Sequence, residues 1–126
     1  RGKGARRNGA LLPRRDPVPL ERAIVGISGL PSAHPGWRQF RALGAIALDL
    51  CAVASGSLDA FVDCSVDAHG PWDYLGGLLV CRETGVDVAD ARGRELVVVD
   101  PAARRTPIAA TDPTVGADLA AALHPR

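Results

Sequence analysis

The sequence has 126 residues, of which 47% are apolar and 23% charged, and its formal net charge is +1. This length suits one compact domain, and the composition excludes an intrinsically disordered chain. No apolar run approaches the roughly 20 residues that span a bilayer, and the start lacks the apolar core of a secretory signal, so we expect a cytoplasmic protein without membrane contact.

The first 22 residues predict a hairpin. Asn8-Gly9 suits a two-residue turn because both positions tolerate positive φ. Since the sequence contains no methionine, we expect a piece of a longer protein, with residues 1–22 as the hairpin remnant of a missing N-terminal half and residues 23–126 as a C-terminal α/β subdomain. Basic residues crowd this opening, and nucleic-acid binding is an alternative; we favour a solvated hairpin because no aromatic residue interleaves the charges.

A buried strand and a central helix are predicted next. Residues 23–27 are apolar and β-branched, which indicates a strand, and a Gly- and Pro-rich loop follows over residues 28–36. Residues 44–56 are strong in helix formers, nearly apolar all round and closed by a glycine, which predicts a helix buried on all sides. Its one charge, Asp49, must either face the rim or find a hydrogen-bond donor, and no function is assigned to it.

A second helix is predicted from about Trp72 to Thr84. Pro71 suits its first position, since the missing N–H costs nothing there, and Asp73 in the first turn gains from the helix dipole. We expect Trp72 to seat this helix on the core. The pair Gly76-Gly77 inside a helix predicts tight packing of another backbone against that face, with the approach of a ligand as the alternative.

The remaining pattern predicts strands and a last helix. Asp112-Pro113 indicates a helix start, with the helix running to about Leu123. Short β-rich runs predict four strands, over residues 58–63, 86–89, 96–99 and 108–111. The order of elements predicts an α/β fold with a mixed β-sheet flanked by helices.

Asp73 is the best candidate for a functional residue. A carboxylate at the start of a helix lies beside the anion-attracting N–H groups of the first turn, and it can place a hard cation next to a phosphate. On spacing alone, a helix-start Asp without further role remains an open alternative. The three histidines, His34, His69 and His124, lie beside Pro or Gly and are expected in solvated surface loops.

Four segments resemble, in the same order, motifs of the inositol monophosphatase family. Residues 2–9 are similar to its G-x-G-A-x-x-N-G hairpin, residues 41–48 to its R-x-x-G-[ST]-A-A segment, and residues 56–60 to its G-x-x-D-A/G turn. Residues 71–85 resemble its C-terminal signature, in which Trp-Asp precedes small residues, an apolar run and Glu-x-Gly. The resemblance covers essentially the whole chain and implies the C-terminal half of the family's layered α/β fold.

The resemblance implies a Mg²⁺-dependent phosphatase that acts on inositol monophosphate, or on histidinol phosphate or another sugar phosphate, and that forms a homodimer as the intact parent. It implies that Asp73 is the metal ligand of this half and that Gly44, Ala45, Ile46 and Asp63 bind substrate. The main metal ligands, a Glu and an Asp-Pro-[IL]-Asp-Gly motif, would lie in the missing half. Residues 1–126 alone should therefore bind Mg²⁺ poorly and be inactive.

Two departures from the family pattern concern the substrate. Ala45 replaces the usual hydroxyl residue, and Asp63 is shorter than the family's Glu. A non-catalytic interaction or assembly module derived from this family is the alternative function.

Overall fold

The computed structural model describes residues 1–125, which fold around a five-stranded mixed sheet. Its strands are β3 (Ile24–Ser28), β4 (Gln39–Arg41), β5 (Ala60–Asp63), β6 (Asp87–Asp90) and β7 (Pro107–Ala110), in the order β4-β3-β5-β7-β6. A separate hairpin joins β1 (Arg6–Arg7) to β2 (Ala10–Leu11). The helices are α1 (Ile46–Ser55), α2 (Pro71–Glu83) and α3 (Pro113–Leu123), and one short 3₁₀ turn spans Leu20–Arg22. None of the helices within residues 1–125 is long and apolar enough to cross a membrane.

The sheet is covered by helices on both faces, which confirms the predicted fold class. Side chains alternate along β5, so that Phe61 joins the core beneath α1 and α2 while Val62 joins the core beneath α3. Leu50 and Leu78 fill the first core, and Leu119 fills the second. The result is a three-layer α/β/α arrangement.

Strand direction brings several element ends to one side of the sheet. β4 and β5 are both parallel to β3, and β7 is antiparallel to both β5 and β6, so β3, β4, β5 and β6 all end at the same edge. We call this the carboxyl edge. α1 follows β4 and α2 follows β5, so both helices begin there. In open α/β sheets this edge is the usual place for a ligand site.

The capped turns and helices agree with the sequence prediction. Asn8 and Gly9 adopt positive φ of 51° and 83° in the hairpin turn. Gly56 ends α1 with φ 101°, and the Asp112 side chain accepts a hydrogen bond of 2.9 Å from the Thr114 N–H at the start of α3. These ends form as predicted because each depends on one or two residues whose chemistry is local.

Two predictions about elements were wrong, and one strand was not predicted. Leu96 is buried and its carbonyl accepts a hydrogen bond of 2.6 Å from the Tyr74 hydroxyl, but residues 96–99 pair with no strand in the described chain. β4 was not predicted, because its three residues are exposed and carry no apolar pattern. α1 is not buried on all sides, since Leu48 is 66% exposed on the surface turned away from the sheet.

The opening 22 residues are fastened to the body of the fold by Arg15. Its guanidinium donates to the carbonyls of Val53 and Leu58 at 2.6 and 2.9 Å, and it pairs with Asp59 at 3.0 Å. The other oxygen of Asp59 accepts the Ile24 N–H at 2.9 Å. This cluster satisfies carbonyls at the end of α1 and fixes the turn into β5. The division of the chain at residue 22 remains a prediction.

Candidate functional site

Asp73 lies at the tip of α2, on the carboxyl edge. Pro71 begins the helix, and the Gly70 N–H donates to Oδ2 of Asp73 at 3.1 Å while the Asp73 N–H donates to the Gly70 carbonyl at 3.0 Å. This pair of bonds fixes the half-buried carboxylate at the helix end. Among residues 1–125 no group hydrogen-bonds Oδ1, so this oxygen remains available to a cation.

Gly44, Ala45 and Ile46 form the start of α1 at the same edge. Gly44 is exposed and has φ 86°, a conformation that suits glycine, and Ala45 provides no side-chain cap. The N–H groups of Ile46, Ala47 and Leu48, the first three residues of α1, have no partner in the described hydrogen bonds. Free N–H groups at a helix start attract anions such as phosphate.

Asp63, at the end of β5, is turned into the protein. It has no exposed surface, its Oδ2 lies 2.6 Å from Nδ1 of His69, and its Oδ1 accepts the Ser65 N–H at 2.9 Å. Both oxygens therefore already have partners, and neither is exposed to a substrate hydroxyl. The resemblance implied that Asp63 binds substrate, but the sequence could not show which way its side chain points.

The expectation of solvated histidines is wrong at two of the three positions. His69 binds Asp63 through Nδ1, and Nε2 of His124 lies 2.5 Å from the Asp63 carbonyl oxygen; both side chains are half-buried. The Asp63 hydrogen bond raises the pKa of His69; burial opposes this, and the charges of Asp63, Asp73 and Asp49 support it. His34 is exposed as expected.

Asp49 lies on the face of α1 that is turned towards the sheet, and it neither faces the rim nor finds a hydrogen-bond donor. It is fully buried, and neither carboxylate oxygen has a hydrogen-bond partner within residues 1–125. Its Oδ1 faces β3, where a Cβ built on Gly26 would lie only 3.2 Å away. Burial raises the pKa of Asp49 to about 6, partly offset by the charge of His69.

Trp72 does not seat α2 on the core. Its side chain is 64% exposed and folds back over Gly70, where an added Cβ would come within 2.4 Å of the indole ring. Arg104, on the loop before β7, places its guanidinium 4.9 Å from the centroid of the Trp72 ring. Trp72 is therefore part of the surface beside Asp73.

The residues of this edge fit part of a magnesium site. A protein commonly supplies one or two carboxylates to Mg²⁺, with water and phosphate oxygens as the other ligands. Asp73 has the free oxygen for one such bond. Within residues 1–125, however, no three His, Cys, Asp or Glu side chains come together as a group that could hold a metal ion.

Comparisons with known proteins agree on one family. The model of the inositol monophosphatase family matches residues 1–125. A Thermococcus kodakarensis protein named fructose-1,6-bisphosphatase/inositol-1-monophosphatase is 38% identical over 114 residues, which cover 86% of this chain and 43% of that protein. Inositol monophosphatase 3 of Solanum lycopersicum is 43% identical over 75 residues, or 60% of this chain and 25% of that protein.

Solved structures show the same fold. A Pyrococcus horikoshii protein described as similar to inositol-1 monophosphatase superposes with a TM-score of 0.82 at 26% identity, covering 98% of this chain and 50% of that one. The SaIMPase-II structure with inositol monophosphate bound gives a TM-score of 0.78 at 22% identity, covering 97% and 50%. The chain thus spans about half the length of these solved relatives.

Proposed function

Because this chain belongs to the inositol monophosphatase family, we propose that the protein carrying it is a Mg²⁺-dependent phosphatase of small phosphate monoesters, with inositol monophosphate as the leading substrate. The observation that carries the proposal is the Asp73 carboxylate, held at the tip of α2 with one oxygen free, at the edge where α1 also begins. The names of the similar proteins support phosphatase activity.

Asp73 and the start of α1, which both lie at the carboxyl edge, have different roles in this proposal. Asp73 would hold Mg²⁺ together with ligands from a segment outside residues 1–125. The bound ion would activate water and neutralise charge on the phosphate oxygens. The first-turn N–H groups of α1, at Ile46 and the residues after it, would bind a phosphate oxygen, while Gly44 allows the backbone to approach the ester closely.

Sugar phosphates are the second substrate candidate. The Thermococcus relative is named as a fructose-1,6-bisphosphatase as well as an inositol-1-monophosphatase, which supports a hexose phosphate. Histidinol phosphate, which is not a sugar phosphate, is a further candidate on the family resemblance. We also propose a cytoplasmic homodimer for the intact protein, on the family resemblance alone.

Phosphate release by the complete protein, with and without Mg²⁺, tests the proposal. Asp73→Asn should lower kcat/KM for inositol 1-phosphate at least about 100-fold, since the charged ligand is lost while the helix cap is kept. Asp112→Asn is the matched control, because it changes another helix-start Asp at the opposite edge of the sheet and should leave turnover unchanged. Full activity of Asp73→Asn, or turnover that survives a chelator, would reject the metal role.

A further inference from the structure

His69 is a polar side chain of the loop after β5 that stays partly exposed at the carboxyl edge. Asp63 is fully buried and both its oxygens have partners, whereas the His69 side chain is 16% exposed. Of the hydrogen bonds described for residues 1–125, those of the His69 ring involve Nδ1 alone. Nε2 is therefore the atom that remains for an external partner.

The ring is held rigidly in this position. The His69 backbone pairs with Arg105 in both directions, at 2.9 and 3.4 Å, and this fixes the end of the loop that precedes α2. Asp63 is itself fixed by the Ser65 N–H and by His124 on its carbonyl. A side chain with both its backbone and its partner fixed loses little entropy when it binds a ligand.

The carboxylate determines which atom of His69 carries the proton. An ionised carboxylate only accepts hydrogen bonds, so Nδ1 must donate to Asp63. Nε2 then accepts a hydrogen bond when the ring is neutral and donates one when it is charged. A hydroxyl can meet either state because it both donates and accepts, whereas a phosphate oxygen can only accept.

We propose that His69, positioned by Asp63, contacts a substrate hydroxyl through Nε2 and thereby selects polyol phosphates over phosphates of alcohols without further hydroxyls. The inference rests on the proposed phosphatase function, and it moves the hydroxyl contact from Asp63, where the sequence put it, to His69. Asp63 is a positioning residue in this arrangement.

A matched pair of substrates tests the selection in the complete protein. Inositol 1-phosphate and cyclohexyl phosphate share a six-membered ring and the ester, but the second has no hydroxyls. His69→Ala should lower kcat/KM for inositol 1-phosphate about 3- to 10-fold, mainly through KM, and leave cyclohexyl phosphate unchanged. An equal loss on both substrates, or no loss on either, would overturn the proposal.

Two further variants distinguish the loss of a substrate contact from a general loss of folding. His69→Gln keeps a side-chain amide that can bind Asp63, and it should show the same substrate dependence as His69→Ala. His34→Ala removes an exposed histidine of another loop and should leave kcat/KM unchanged for both substrates. If the wild-type protein hydrolyses neither ester, the proposed phosphatase function itself is rejected, which separates that failure from a failure of His69.

The positioning role can be measured without turnover. In ¹⁵N-histidine spectra of the 126-residue chain, neutral His69 should carry its proton on Nδ1, and Asp63→Asn should abolish that preference because an amide can also donate to the ring. A proton on Nε2 in the neutral wild-type ring, or an unchanged tautomer in Asp63→Asn, would overturn the positioning by Asp63.

Discussion

Three aspartates near the carboxyl edge differ in their surroundings, and the surroundings determine what each carboxylate can do. Asp73 keeps one oxygen free, Asp63 has both oxygens paired, and Asp49 is buried with neither oxygen paired. Burial in an apolar site without hydrogen-bond partners destabilises the ionised form of a carboxyl group. The same residue type is therefore a candidate ligand, a positioning group and a source of instability at three neighbouring places.

The instability at Asp49 predicts a pH-dependent effect of Asp49→Asn. Burial raises the pKa of this carboxyl to about 6 in the folded chain, from an ordinary value of 3.8. Well below pH 3.8 it is protonated in both states and has no effect. As the pH rises towards and past 6, the unfolded state ionises more readily, so the wild-type free energy of unfolding falls by up to about 3 kcal/mol.

Urea unfolding at pH 3 and pH 7.5 measures this difference. Asp49→Asn should match the wild type at pH 3 and be the more stable of the two at pH 7.5. Asp118→Asn, an exposed change on α3, should show no such pH dependence. A wild-type chain whose advantage over Asp49→Asn grows with pH would contradict the account.

α1 and α2 pack closely at one glycine. A Cβ built on Gly77 would lie 2.7 Å from Cβ of Leu50, whereas one built on Gly76 would meet nothing within 4 Å. The sequence predicted tight packing of another backbone against this glycine pair; the structure shows close packing at Gly77 alone, and against the Leu50 side chain. This contact determines how closely the two helices that begin at the carboxyl edge lie beside each other.

Alanine at these two adjacent positions should therefore have opposite effects. Gly77→Ala should lower the free energy of unfolding by about 1–3 kcal/mol, because the new methyl group collides with Leu50. Gly76→Ala should raise it by up to about 1 kcal/mol, since alanine favours the helix and the space is open. Chemical denaturation of both variants measures the pair, and equal effects would show that the helices can separate freely.

Elements whose ends depend on local chemistry were predictable, and those that depend on pairing were not. Pro71, Gly56 and Asp112 set helix ends by their own backbone or side-chain preferences. β4 is a strand because it pairs with β3, whereas residues 96–99 have no neighbouring strand in the described chain. A local sequence pattern does not show whether a partner strand is present, so it could not predict either outcome. Asp73 could be found from its helix start, while the contact of His69 with Asp63 depends on how the loop between them folds.

At the scale of the whole molecule, the proposed function gives residues 1–125 one face of a site. The chain matches about half the length of its solved relatives. Asp73 brings one free carboxylate oxygen, and within the described chain no group of three metal-holding side chains forms. Leu48 and Leu79 are 66% and 44% exposed on the helical layer.

The 126-residue chain by itself should consequently release no phosphate from inositol 1-phosphate at any Mg²⁺ concentration. Calorimetric titration with Mg²⁺ should show only weak binding, because one carboxylate with water is a poor site. Phosphatase activity that stays proportional to the concentration of this chain through purification would show that the site is complete without a further segment.

The position of the cation relative to Asp73 tests the central claim most directly. Mn²⁺ can replace Mg²⁺ and is located by its anomalous scattering in crystals of the complete protein. We predict a peak about 2.1 Å from a carboxylate oxygen of Asp73, beside the first turn of α1. A fully occupied Mn²⁺ site elsewhere, with the Asp73 carboxylate surrounded by solvent, would contradict the account.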